Sequence, residues 1–234
     1  MRWPILDVLL VPGVDWADYF PATGAAKPRH VARLTANLSF LLERFRAYSV
    51  TATVGVFGET VRQEPELVLA IHAAGCEIAA MTDTARDPWT IPPGALRDEV
   101  EAVISAISEL DLPSPVRFMP PFPSNQQLSA AHVAALREAG IQQALGCRGE
   151  GIDSLPLSTL FDWPLAGTVA RLVPVWLTRR ALGPAGGVLC LTPVDIDPGA
   201  PGGGWGRGAC LRRLPRLLGD GFVAAERRAI DVAG

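Results

Sequence analysis

No stretch of this 234-residue chain is apolar for long enough to cross a bilayer, since a spanning helix needs about 20 predominantly apolar residues in a row. Basic side chains are not in excess either. Lys and Arg number 21 against 24 Asp and Glu, a net charge of −3, so the cationic footprint on which nucleic-acid binding depends is missing. The four cysteines (Cys76, Cys147, Cys190, Cys210) lie far apart and form no C-x-x-C pair. That spacing excludes a zinc knuckle or a redox pair and leaves buried free thiols as the expectation. The opening Met1-Arg-Trp-Pro-Ile-Leu-Asp is interrupted by Asp7 and has no small-residue cleavage site. It does not read as a secretory signal, and a cytoplasmic location is expected.

What is present is core-forming material: 49% hydrophobic and 19% charged residues, the balance of a packed globule rather than a disordered chain. Short apolar runs alternate with helical patterns. Strands are expected at 5–11, 50–56, 116–119, 142–145, 155–159, 188–191 and 222–225. Helices are expected at 31–45, 65–74, 94–110, 129–139, 169–181 and 207–218. Pro65 suits a first helical turn and Gly75 the left-handed residue after a helix end. About seven such repeats point to a parallel α/β barrel more than to an open sheet, in one domain spanning 1–234. Asp197 to Gly208 reads as a flexible loop after a strand.

The segments Val50-Thr-Ala-Thr-Val-Gly-Val-Phe-Gly-Glu-Thr-Val, Pro65-Glu-Leu-Val and Ala74-Gly-Cys-Glu-Ile closely resemble polysaccharide deacetylases of the NodB-homology type, carbohydrate esterase family four. Pro12-Gly-Val-Asp-Trp16, Thr192-Pro-Val-Asp-Ile-Asp-Pro198 and Ile152-Asp-Ser-Leu-Pro-Leu-Ser-Thr-Leu are similar to the exosortase-associated subgroup of that family. The resemblance runs from about Ile5 to Val223. It implies a distorted (β/α)7 barrel with its site at the C-terminal ends of the strands. It also implies a divalent metal, held by one Asp and two His, that activates water against an N-acetyl group, with a carboxylate as base and a histidine as acid.

Carried over by position, most of that machinery is replaced. The base falls at Pro12, the two histidine ligands at Met81 and Ala85, the base-orienting arginine at Met119 and the acid at Thr192; the metal-binding aspartate is retained as Asp15. One carboxylate is short of the three protein ligands of a catalytic zinc site, and a thioether is a poor ligand for that metal. No cofactor is therefore expected. Met81 and Met119 are expected to meet near Asp15 and fill the old site.

Neighbouring residues offer candidates for replacement chemistry. Asp15, Asp83, Asp195 and Arg117 are candidate catalytic groups, as a hard oxygen site or an acid–base pair. Arg117 shares strand parity with Met119, and Cys190 with Thr192. Asp87 and Asp197 are further loop carboxylates. His30, His72 and His132 fall on expected outer helices and do not rebuild the site. Trp16, Trp89, Phe122 and Thr192 are candidate saccharide-binding residues, with Tyr19, Phe20 and Trp163 as further loop aromatics. Three functions follow from these readings. The first is a non-catalytic saccharide-binding or assembly component of exopolysaccharide metabolism. The second is an enzyme with remade chemistry on a sugar or amide. The third, which the residues favour least, is an active metal-dependent N-deacetylase.

Overall fold

The structure is a computed structural model that describes residues 8–10, 27–47, 52–84, 86–121, 123–165, 172–182 and 188–191. Asp15, Trp16, Ala85, Phe122, Thr192 and Asp195, with the expected C-terminal helix and strand, lie outside the described residues.

Six helices and nine short strands are described. Helix α1 (Lys27–Ala47) buries Leu38, Leu41, Leu42 and Phe45, a spacing of three, four and seven that lines one helical face. Arg44 and Arg46 in its last turn suit the negative end of the helix dipole. A short α2 (Gly58–Gln63), not expected from the sequence, precedes α3 (Pro65–Ala73). Pro65 occupies the first turn of α3, where its missing N–H has no partner to lose, and Gly75 just past its end takes φ 77. Helix α4 (Pro93–Ser108) buries Leu96, Val100, Val103 and Ile107. Helix α5 (Ala130–Glu138) is capped by Ser129, whose side chain accepts from the His132 N–H. Helix α6 spans Val175–Leu182.

Seven strands form one parallel sheet: β1 (Val8–Leu10), β2 (Thr53–Val56), β3 (Glu77–Ala80), β4 (Arg117–Phe118), β5 (Gln143–Leu145), β6 (Asp153–Leu155) and β9 (Leu189–Leu191). Their spatial order is β6-β5-β4-β3-β2-β1-β9, and every pairing is parallel. Strands β7 (Thr159–Leu160) and β8 (Trp163–Pro164) form a separate antiparallel hairpin. The strand expected over 155–159 is thus divided, because Pro156 has no N–H to give to a ladder.

The sheet edges β6 and β9 are not laddered to each other among the described residues. The residues flanking the hairpin are bonded to the β9 side. Ser158 N donates to Val188 O at 2.9 Å and Cys190 N donates to Leu165 O at 3.0 Å, while Val188 N donates to Ser158 Oγ at 3.1 Å. The chain leaving β6 therefore runs on to the β9 side, where the residues flanking the hairpin are bonded.

Alternation along the strands divides the buried side chains into two sets. Val54, Val56, Ala80, Phe118, Ala144, Leu189 and Leu191 join the helices in the larger core. Phe57, Ala79, Met81, Met119, Leu145, Leu157, Val188 and Cys190 form a second core on the opposite face. Cys76 and Cys147 belong to the larger one.

Candidate functional site

The second core is where the sequence positions Met81 and Met119, and the structure brings them together there. The register aligns Gly55 with Ala79 on β2 and β3, and Met81 and Met119 follow directly on the ends of β3 and β4. Both methionines are fully buried. A Cβ placed on Gly55 would stand 2.0 Å from the Met119 Cε and 2.9 Å from the Met81 Sδ, so both side chains converge on the space that a side chain at 55 would occupy. Leu145, Leu157 and Cys190 complete the same cluster. Burying each methionine contributes roughly 1.5–3 kcal/mol. Because thioethers are flexible and polarisable, they suit a space shaped for other groups. The pair does not fit a hard divalent cation, for which a thioether is a poor donor. Among the described residues, no group of three His, Cys, Asp or Glu side chains is placed to hold a metal ion.

Two residues down the same strands the chemistry changes. Thr53, Glu77, Arg117, Gln143 and Asp153 occupy the N-terminal positions on this face. Arg117 pairs with Glu77, and its Nη1 donates to Thr53 Oγ1 at 2.9 Å. Thr53 Oγ1 donates in turn to Glu77 Oε2 at 3.1 Å, and Gln143 Nε2 donates to Asp153 Oδ2 at 2.6 Å. The guanidinium of Arg117 is therefore committed to the strand ends opposite those that carry Met81 and Met119. Its parity with Met119 is as expected, but it lies within a local ionic network.

Asp83 is also engaged. Its Oδ1 accepts from Arg62 Nη2 at 2.7 Å, its backbone O accepts from Glu59 N at 3.1 Å, and a Cβ on Gly58 would meet Oδ1 at 1.9 Å. The Gly58 backbone and the α2 arginine thus seat this carboxylate. The rest of the loop is tied with it. Thr82 Oγ1 donates to Arg86 O at 3.0 Å, Thr84 N and Oγ1 donate to Glu99 at 2.9 and 3.0 Å, and Arg86 pairs with Glu99 at 3.4 Å. The loop in which the resemblance expects two ligands is instead fastened by polar bonds directed outward to α2 and α4.

Trp89 is partly buried against the larger core. Its indole Nε1 donates to Gln127 O at 3.0 Å, and its backbone N donates to Asp87 Oδ1 at 3.1 Å. The ring joins two loops. Asn125, which the sequence reading passed over, pins the loop after β4 to the end of β6. Its Nδ2 donates to Leu157 O at 2.8 Å and its Oδ1 accepts from Leu157 N at 2.6 Å. Its φ of 62 is one that asparagine tolerates better than most residues, which is the only sequence-level hint of the role.

His72 and His132 stay away from the second core. His72 is exposed on α3. His132 Nε2 lies 3.0 Å from the Ile91 carbonyl and Nδ1 lies 2.7 Å from Ser129 Oγ. A carbonyl can only accept, so Nε2 donates to it. The thiols of Cys76, Cys147 and Cys190 are buried, and burial pushes Cys147 from 9.0 up to about 12. Burial also raises Cys76, against a smaller lowering from its hydrogen bond with the Ala52 backbone.

This geometry has known counterparts. Residues 32–144 match the family model described as Polysaccharide deacetylase. No curated protein is significantly similar in sequence. Among solved structures, a Mycobacterium smegmatis protein described as a provisional polysaccharide deacetylase aligns at TM-score 0.62 and 20% identity, covering 99% of this chain and 94% of that one. A family 4 carbohydrate esterase from Streptomyces lividans, in complex with acetate, aligns at TM-score 0.57 and 15% identity over 92% of this chain and 88% of that one. A family 4 pseudoenzyme from Bacillus anthracis aligns at 0.58 and 12% identity, covering 93% of this chain and 61% of that longer one. At these identities the likeness establishes the fold: this is an α/β protein with the parallel sheet of carbohydrate esterase family 4 structures. Among the described residues, no helix is long and apolar enough to cross a membrane.

Proposed function

We propose that the chain is a degenerate polysaccharide deacetylase, related to the exosortase-associated subgroup and built as a distorted (β/α)7 barrel. It has given up metal-dependent hydrolysis and serves as a saccharide-binding or assembly component of exopolysaccharide metabolism. One observation carries the reading: Met81 and Met119 close over Gly55 in the space where a polar, metal-bearing cavity would otherwise lie. The fastening of Asp83 to Arg62 and of Arg117 to Glu77 supports it, because neither candidate is held ready for a substrate. The family-model match over residues 32–144 supports the lineage. The occurrence of a family 4 pseudoenzyme on the same fold supports the idea that this scaffold outlives its chemistry.

The test joins metal analysis of the purified protein to deacetylation assays on N-acetylglucosamine oligomers. Sub-stoichiometric zinc and no released acetate are expected. Stoichiometric zinc together with turnover would overturn the reading.

A further inference from the structure

Six large hydrophobic side chains stand exposed among the described residues, and four of them fall in one stretch: Phe161, Trp163, Leu172 and Trp176. Phe161 and Asp162 are the two-residue turn of the β7–β8 hairpin, with φ 50 and 66. That left-handed pair is ordinarily filled by Asn-Gly or Asp-Gly. A bulky side chain is uncommon there because its Cβ crowds the backbone. Packing does not hold the ring in place, since Phe161 is 82% exposed and Trp163 67% exposed. Helix α6 lies against β7. Its Ala181 and Leu182 pack on the larger core along with Leu160. Its other side presents Trp176, 67% exposed, with exposed Arg180 one turn further along.

We propose that the hairpin tip and the outer side of α6 form a saccharide-binding platform, separate from the filled face of the sheet. The proposal rests on the saccharide reading above and gives it a location. The occupant follows from the order ring, carboxylate, ring at Phe161, Asp162 and Trp163, with a guanidinium at Arg180 on the neighbouring helix. Pyranose rings present apolar C–H faces that aromatic side chains can cover, and they carry hydroxyls that a carboxylate accepts from and a guanidinium donates to. An anionic bilayer surface or a polyanion would be attracted by Arg180 but opposed by Asp162 at the extreme tip, so it would match only one of the two charges. A neutral polyhydroxylated chain satisfies both charges and both rings. The backbone conformation points the same way, since unusual φ values on bulky residues persist where a site holds them for use.

The test uses the full chain and β-1,4-linked hexamers of N-acetylglucosamine, glucose and xylose, followed by calorimetry and tryptophan fluorescence. At least one hexamer is expected to bind the wild type. Trp163→Ala should weaken that binding by about tenfold or more, as for the loss of a central aromatic anchor. Phe161→Gly should weaken it too while leaving the thermal midpoint unchanged or raised, because glycine adopts this φ without cost. Binding that survives both variants undiminished would overturn the platform and leave the saccharide reading standing on another surface. Absence of binding to all three hexamers would overturn both. Co-sedimentation with phosphatidylglycerol vesicles that depends on Trp163, without hexamer binding, would assign the tip to a membrane and overturn the saccharide occupant.

Discussion

Along the same strands, on the same face, two layers two residues apart have opposite chemistry. At the C-terminal side Gly55, Ala79, Met81, Met119 and Leu145 make a dry, sulfur-rich layer. At the N-terminal side Thr53, Glu77, Arg117, Gln143 and Asp153 make a hydrogen-bonded, charged one. Parallel α/β proteins ordinarily carry their chemistry at the C-terminal strand ends and their stability at the other. Here the N-terminal layer is polar and internally bonded, whereas the C-terminal layer is apolar and fully buried around Met81 and Met119.

The comparison can be broken most forcefully by charging the dry layer. Met81→Asp leaves a carboxylate without a partner in a fully buried position, and a loss of about 3–5 kcal/mol is expected. It would be measured as a lowered urea midpoint at unchanged slope, and an unchanged midpoint would show that the layer is wet. Gly55→Ala comes next. Its Cβ would meet the Met119 methyl at 2.0 Å, so overpacking should cost about 1–3 kcal/mol. In a Met119→Ala background the same substitution should cost less, because the clashing atoms are gone. A double-mutant cycle showing strict additivity would count against the shared space.

The charged layer should respond more mildly. Arg117→Met removes the partner of Glu77, but that carboxylate is 48% exposed and water can solvate it. A loss of about 1 kcal/mol is expected, diminishing in high salt. An effect as large as that of Met81→Asp would mean that the ionic layer, not the methionine layer, carries the fold. The remaining effect is alkaline and is felt only above the neutral range. Cys147 ionises at about 12 in the folded chain against 9.0 when free, so between those values the unfolded chain has lost a proton that the folded chain keeps. Stability should therefore fall as pH rises above 9. The decline should vanish in Cys147→Ala apart from the contribution of Cys76, whose thiol is shifted in the same direction. Native Cys147 should also resist alkylation at neutral pH.

Much of this architecture can be read from residues close together in the chain. The family resemblance implies that Met81 and Met119 share one site, strand parity puts Arg117 on the side of Met119, and Pro65 with Gly75 delimits a helix that the structure shows at Pro65–Ala73. What escapes the sequence is long-range or unconventional. The partner of Asp83 is Arg62, 21 residues away, and the indole of Trp89 finds the Gln127 carbonyl 38 residues away. No local pattern specifies either. The β7–β8 hairpin is hidden because its turn is Phe161-Asp162 rather than a glycine-containing pair, and Pro156 interrupts what otherwise reads as one strand. Helix α2 is only six residues long, and no side chain caps its start, so neither periodicity nor capping announces it.

The hairpin stem has a consequence beyond the platform it supports. A parallel sheet that stops at β6 on one side and β9 on the other would display bare backbone amides and carbonyls, a template on which other chains can add strands. Ser158 and Leu165 occupy the backbone groups of Val188 and Cys190, so this border is already taken within the molecule. The short segment that looks like an ornament on the fold thereby covers backbone groups on which a neighbouring copy could otherwise add a strand.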